Sequence, residues 1–173
     1  MDYDIAIAGY GPVGATLANL LGQGGFRVAV LEQDVDIYDK PRAITMDHEV
    51  SRVFQACGLA DEIDPLTAPH PGTNFVDPAG EVIKRFDPLP PPYPLGWRPT
   101  SVFIQPELEA ALRHGVARFE TVDVMLGRRV DGFSQNDDAV EVMFTELGSG
   151  QPARLRTRYL IGCDGASSLI RFL

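Results

Sequence analysis

Residues able to do chemistry gather at two places in this 173-residue chain. Near the start, Gly9-Tyr10-Gly11-Pro12-Val13-Gly14 follows a short apolar run and opens a helical pattern. Near the other end, Cys163-Asp164-Gly165-Ala166-Ser167-Ser168-Leu169-Ile170-Arg171 does likewise. The first segment has the spacing of a dinucleotide turn. Gly9 permits a tight turn, Gly11 lets the backbone approach a pyrophosphate, and Gly14 allows close helix–strand packing. Pro12 and Val13 start the helix whose free N–H groups and partial positive charge face the phosphates. Glu32, with Gln33 beside it, ends the next apolar run. A carboxylate there accepts hydrogen bonds from both hydroxyls of an adenosine ribose and repels a 2′-phosphate. A glycine-rich turn in an ordinary α/β protein is the plain alternative; the strand, helix and terminal acid around this turn favour the dinucleotide.

In the second segment Leu160-Ile161-Gly162 reads as a buried strand running into Asp164-Gly165. A carboxylate at a strand end beside a glycine can hold a ribityl or ribose hydroxyl. Arg171 falls one helical turn after Ser167, where it could brace the Asp164 loop. On these residues alone a helix cap at Asp164 with an exposed Arg171 is the stronger reading.

The elements that must carry these residues follow from periodicity. Asp4–Ala8 is a short apolar strand of the kind buried on both faces. Pro12 suits a first helical position, Val13, Leu17, Leu20 and Leu21 make one helical face, and Gly24-Gly25 ends that helix. Arg27–Glu32 completes a βαβ opening. Asp47 is the expected N-cap of a second helix carrying Val50, Val53, Phe54 and Cys57 and closed by Gly58. A hairpin is expected over 73–86 around Asp77-Pro78-Ala79-Gly80. The stretch 87–99 holds six of the fourteen prolines and reads as a stiff, extended loop. A strand at 101–104 leads into a third helix begun by Pro106, striped by Leu108, Leu112, Val116 and Phe119. Strands follow at 122–126, 129–133, 139–145 and 155–161, the last three joined by tight turns as an antiparallel ribbon. The expected class is α/β: a Rossmann-like domain of βαβ plus antiparallel β-ribbon.

Composition narrows the functional classes. The net charge is −9 with no basic tract, which argues against nucleic acid and anionic membrane surfaces. No stretch approaches a membrane span, and Asp2 and Asp4 stand where a secretory signal would be basic. Cys57 and Cys163 are too few for a disulfide framework and fit a reduced, cytoplasmic setting. His48, in the loop expected near a cofactor, reads better as a solvated helix-start residue. His70 and His114 have no partner at ligand spacing, so no metal is assigned. Tyr93 and Trp97 either line a cavity or, more often for such residues, anchor their loop.

Five segments carry a wider resemblance: Ile7 to Gly14, Pro41-Arg42-Ala43-Ile44, Phe103-Ile104-Gln105-Pro106, Phe133-Ser134-Gln135-Asn136-Asp137-Asp138, and Cys163 to Ser167. Together they resemble the FAD-dependent aromatic hydroxylases, the single-component flavoprotein monooxygenases. The resemblance implies that Gly9, Gly11, Pro12, Val13 and Gly14 wrap the FAD pyrophosphate and that Glu32 and Gln33 meet the adenosine. It implies Arg42 near the flavin and its phosphates, Gln105 on the ribityl chain, and Asp164, Gly165 and Arg171 at the second FAD segment. Seen alone, Arg42 would pass for a surface arginine and Gln105 for a helix-start residue. The implied reaction hydroxylates a phenolic acid such as 3-(3-hydroxyphenyl)propionate, using FAD, NAD(P)H as co-substrate and O₂. No catalytic residue can be named.

The resemblance further implies that 1–173 is the N-terminal part of an FAD-binding monooxygenase domain. A later Gly-Asp motif and the substrate-covering sheet would lie outside it, and the isolated chain is expected to bind FAD weakly without turnover. An unpaired sheet edge would favour self-association, with a homo-oligomer as one outcome. Two alternatives stay open: an NAD-dependent dehydrogenase or reductase domain, and a non-catalytic nucleotide-binding module.

Overall fold

A computed structural model describes residues 1–40 and 42–172. The chain divides into two units, one of residues 1–39 with those from 109 onward, the other of residues 40–108.

The first unit is built on β1 (Tyr3–Ala8), β2 (Val28–Glu32), β8 (Val122–Leu126), β9 (Arg128–Gln135), β10 (Val140–Glu146) and β11 (Gln151–Gly162). They form one sheet in the order β8-β2-β1-β11-β10-β9. The β8, β2, β1 and β11 ladders are parallel, whereas β11, β10 and β9 pair antiparallel. The expected mix of βαβ and antiparallel ribbon is therefore present. β11 serves both halves: it pairs with β10 over 151–157 and with β1 over 157–162. The core of the sheet holds Ala6, Ala29, Leu31, Val142 and Leu155. Each fully buried large apolar side chain there contributes about 1.5–3 kcal/mol.

Helix α1 (Pro12–Gln23) corrects one expectation. The stripe of Val13, Leu17, Leu20 and Leu21 does not form its buried face: Val13 is 70% and Leu20 38% exposed. The buried residues are Gly14, Ala15, Ala18, Asn19 and Gly22. Closeness of approach is the reason. A methyl on Gly14 would overlap the Gly9 carbonyl oxygen, and one on Gly22 would lie 2.6 Å from the Phe119 ring. Small residues win because the backbone is too near for large ones. Phe119 itself lies beyond the end of α4 (Gln105–Val116), whose Leu112 and Val116 are buried as expected. The division between the units falls inside α4, after Leu108.

The second unit holds a three-stranded sheet of β3 (Thr45–Asp47), β7 (Thr100–Phe103) and β4 (Thr67–Pro69). It also holds α2 (His48–Ala56), α3 (Ala60–Ile63) and the hairpin β5 (Thr73–Val76) with β6 (Val82–Phe86). Asp47 caps α2, its Oδ1 accepting the N–H groups of Glu49 and Val50 at 3.0 Å each. Gly58 follows the helix at φ +70°, a conformation suited to glycine. Here too the expected face shifts: Ser51, Phe54 and Cys57 are buried, whereas Val50 and Val53 are exposed. The proline-rich loop carries no regular element. Trp97 ties it to α2 by donating to Gln55 Oε1 at 3.0 Å. Among the described residues no helix is long and apolar enough to cross a membrane.

Candidate cofactor site

The parallel strands β1, β2 and β11 end side by side, with Ala8 paired to both Leu31 and Gly162. Ligands of open α/β sheets bind beyond such carboxyl ends. The two segments singled out in the sequence meet at this edge. Cys163 N–H donates to Ala8 O at 2.7 Å, and Gly9 N–H to Leu31 O at 2.8 Å. Gly9 turns at φ +100°, and a side chain on it would overlap the Cys163 carbonyl. It is glycine for two separate reasons, backbone conformation and contact.

Gly11 differs. A Cβ there would meet nothing within 4 Å, so the space over it is open. It is the N-cap residue of α1, with extended backbone at φ −68° and no side-chain cap. No acidic residue occupies the first turn of α1. In α2, by contrast, Asp47 caps the end and Glu49 sits in the first turn. The start of α1 thus combines an exposed backbone with an uncompensated positive dipole end, the surroundings an anion requires. Pro12 lies at the first helical position and Val13 next to it is exposed.

Glu32 closes the edge from β2. Its Oε2 accepts the Tyr10 N–H at 2.6 Å and its Oε1 accepts the Asp34 N–H at 2.9 Å. Each carboxylate oxygen has a second lone pair, so the aimed group retains acceptor capacity. Gln33 beside it is exposed. The Tyr10 ring points inward and is 3% exposed. Burial pushes its hydroxyl up to about 12, partly countered by the nearby Arg113 charge.

Asp164 stands where β11 leaves the sheet. Its Oδ2 accepts the Ile170 N–H at 3.2 Å, while Oδ1 is buried with no partner. Burial alone would raise this carboxyl, but hydrogen bonds from Ser168 and from the Ile170 and Leu169 N–H groups outweigh it and hold the group low. Ser168, whose Oγ accepts the Arg171 N–H at 3.1 Å, caps the final helix α5 (Leu169–Phe172); Asp164 accepts one further N–H of that helix and keeps its other oxygen unused. Gly165 turns at φ +81°. Arg171 Nη2 donates to Ala166 O at 2.7 Å, bridging the loop rather than standing free. Burial and the Asp164 charge raise the Cys163 thiol, which favours its protonated form.

In the second unit Gln105 is buried, and its Oε1 accepts the N–H groups of Arg42 at 3.0 Å and Ala43 at 2.8 Å. The two residues named from the resemblance are thereby joined, and Arg42 itself is exposed. Pro41 of that segment lies outside the described residues. His70 is used locally, its Nδ1 accepting the Gly72 N–H at 3.0 Å. Sequence reasoning missed three polar residues, buried or largely so, behind the turn: Asn19, Glu109 and Arg113. Asn19 is fully buried, with Nδ2 donating to Ala15 O at 2.9 Å and Leu112 O at 2.8 Å, and Oδ1 accepting from Arg118 at 3.1 Å.

Residues 2–172 match a family model described as FAD binding domain. The 3-(3-hydroxy-phenyl)propionate/3-hydroxycinnamic acid hydroxylase of Comamonas testosteroni is 39% identical over 170 residues, which are 98% of this chain and 28% of that enzyme. The chain therefore spans less than a third of the length of this curated relative. Among solved structures, p-nitrophenol 4-monooxygenase PnpA from Pseudomonas putida DLL-E4 superposes with a TM-score of 0.84 at 24% identity, over 98% of this chain and 42% of its own. The flavin-dependent monooxygenase PieE, solved with FAD and substrate, gives 0.83 at 23% identity, over 97% and 31%. At these identities the two structures establish the fold.

Proposed function

The chain belongs to the FAD binding domain family, and from that premise we propose that it supplies the dinucleotide-holding edge of a flavin-dependent aromatic hydroxylase. The observation that carries the reading is the start of α1: an open Gly11, no cap and no acid in the first turn, with the Glu32 carboxylate fixed beside it. These residues fit FAD. The Val13 and Gly14 N–H groups would receive the pyrophosphate, Gly9 and Pro12 would shape its approach, and Glu32 with Gln33 would take the adenosine ribose. The unused Asp164 oxygen would accept a hydroxyl of the cofactor, with Gly165 and Arg171 shaping that loop. Arg42 and Gln105 are further proposed contacts, on the family resemblance.

When bound, FAD supplies the redox chemistry that NAD(P)H and O₂ need to place one oxygen atom on an aromatic ring. The proposed substrate of the longer protein is a phenolic acid, in line with the 3-(3-hydroxy-phenyl)propionate and 3-hydroxycinnamic acid named for the Comamonas testosteroni relative. The phenol oxygen makes the ring carbons nucleophilic, and the protein's tasks are to orient that ring and exclude water. This chain's own share is cofactor binding, and we propose that 1–173 is the N-terminal part of the FAD domain, weak in FAD affinity and without turnover alone.

An FAD titration of the purified chain, followed by flavin fluorescence with NADH as competitor, tests this. Saturable binding that NADH does not displace is expected. Binding of NADH with none of FAD would overturn the reading in favour of a dehydrogenase domain.

A further inference from the structure

The middle residue of a glycine turn needs only its backbone to meet a phosphate, yet here it is a tyrosine turned inward. The Tyr10 ring lies under the Arg113 guanidinium, 4.7 Å from its centre, and Tyr10 Oη–H donates to the Arg113 carbonyl at 3.4 Å. Arg113 in turn donates to Glu109 Oε1 at 2.7 Å, one helical turn back on α4, with the two side chains 14% and 3% exposed. Glu109 Oε2 and Arg113 Nε are buried without partners. Burying such a pair is costly, and an apolar pair would serve packing as well. α4 does not need it for docking, because Leu112 and Val116 are buried and Asn19 of α1 already holds the Leu112 carbonyl. Arg113 also touches the ring of the residue whose N–H is bonded to Glu32.

We propose that Arg113, held by Glu109, is a positioning residue for the cofactor turn. Its guanidinium clamps the Tyr10 ring, and so keeps the Tyr10 N–H on Glu32 and the Gly9–Gly11 peptides in the shape that receives the dinucleotide. The proposal rests on the FAD reading above.

The test compares the wild-type chain with the uncharged pair Glu109→Gln/Arg113→Met, with Arg113→Lys, and with Tyr10→Leu, which leaves the ion pair in place. Three quantities are read: thermal midpoint, hydrogen exchange of the Tyr10 amide without ligand, and FAD affinity by flavin fluorescence. In the uncharged pair the Tyr10 amide should exchange about tenfold faster and FAD bind about tenfold more weakly, as for loss of one buried cation–π contact. The Val142 amide in β10 should keep its protection. Arg113→Lys should recover most of both losses, and Tyr10→Leu should weaken FAD similarly. An unchanged Tyr10 amide, FAD affinity that holds while the amide loosens, or failure of lysine to rescue would each overturn the proposal. A wild-type chain that binds no FAD sinks the cofactor reading instead, and the amide comparison still decides whether Arg113 holds the turn.

Discussion

Two glycines of one turn make opposite predictions when replaced by alanine. At Gly9 a methyl must accept φ +100° and overlap the Cys163 carbonyl. The left-handed conformation costs roughly 1–2 kcal/mol and overpacking against backbone roughly 1–3 kcal/mol. Together they lower the thermal midpoint by roughly 5–15 °C for a chain of this size. At Gly11 the backbone is extended at φ −68°, and nothing lies within 4 Å of the added methyl. Reduced freedom of the unfolded chain favours alanine by about 0.4–1 kcal/mol, and the poorer N-cap costs a similar amount. Gly11→Ala should therefore melt within about 2 °C of wild type. Its methyl projects where the pyrophosphate is proposed, displacing one charge-assisted hydrogen bond of about 1.5–3 kcal/mol. FAD affinity should fall about 10- to 100-fold. Differential scanning fluorimetry and flavin-fluorescence titration on the same samples separate the two effects. A Gly11→Ala chain that binds FAD like wild type refutes the placement of the phosphates. One that melts like Gly9→Ala refutes the reading of Gly11 as open.

Asp47→Ala removes the acceptor of two N–H groups at the start of α2 and should cost about 1 kcal/mol in chemical denaturation, with Asp47→Ser recovering most of it. Asn19→Ala strands the Leu112 carbonyl and leaves a small void, for a loss of roughly 2–4 kcal/mol by the same method. Tyr10 holds its proton more tightly when folded, at about 12 against an ordinary 10, so its contribution to stability is complete below pH 10 and is lost as pH rises through 12. Tyr3, partly buried and donating to Asp123, is held up to about 12 as well, so spectrophotometric titration should show two late tyrosinates; Tyr10→Phe should remove one of them, and an undiminished late step would reject the assignment.

Legibility in the sequence followed the physics of each element. β1, β2 and the three ribbon strands were plain because apolar runs and tight turns mark them. The face of α1 was not. Hydrophobicity favoured the Leu17 and Leu21 side, whereas the space left between backbones selected Gly14, Ala18 and Gly22. The place of β8 beside β2 was hidden as well, since local pattern does not say which edge a strand joins. At the carboxyl edge of the sheet the turn made by Gly9 and Gly14 and the strand end at Glu32 were readable from spacing. Glu109 and Arg113 were not, because an i,i+4 pair ordinarily means a solvated face. Their register with Leu112 and Val116 was the available signal: 109, 112, 113 and 116 share one side of a helix.

The change of partner along β11 has a consequence for how the chain is made. β1 is made before the rest of its sheet, but the ladder on one of its flanks is completed by β11, where Thr157 pairs with Tyr3 154 positions earlier. Contacts that distant are slow to form, since the intervening chain must be closed into a loop first. The ribbon of β9 and β10 can assemble locally and then deliver β11 beside β1. Until it does, the flank of β1 that β11 will cover stays open, the kind of unpaired strand edge that invites association with another chain.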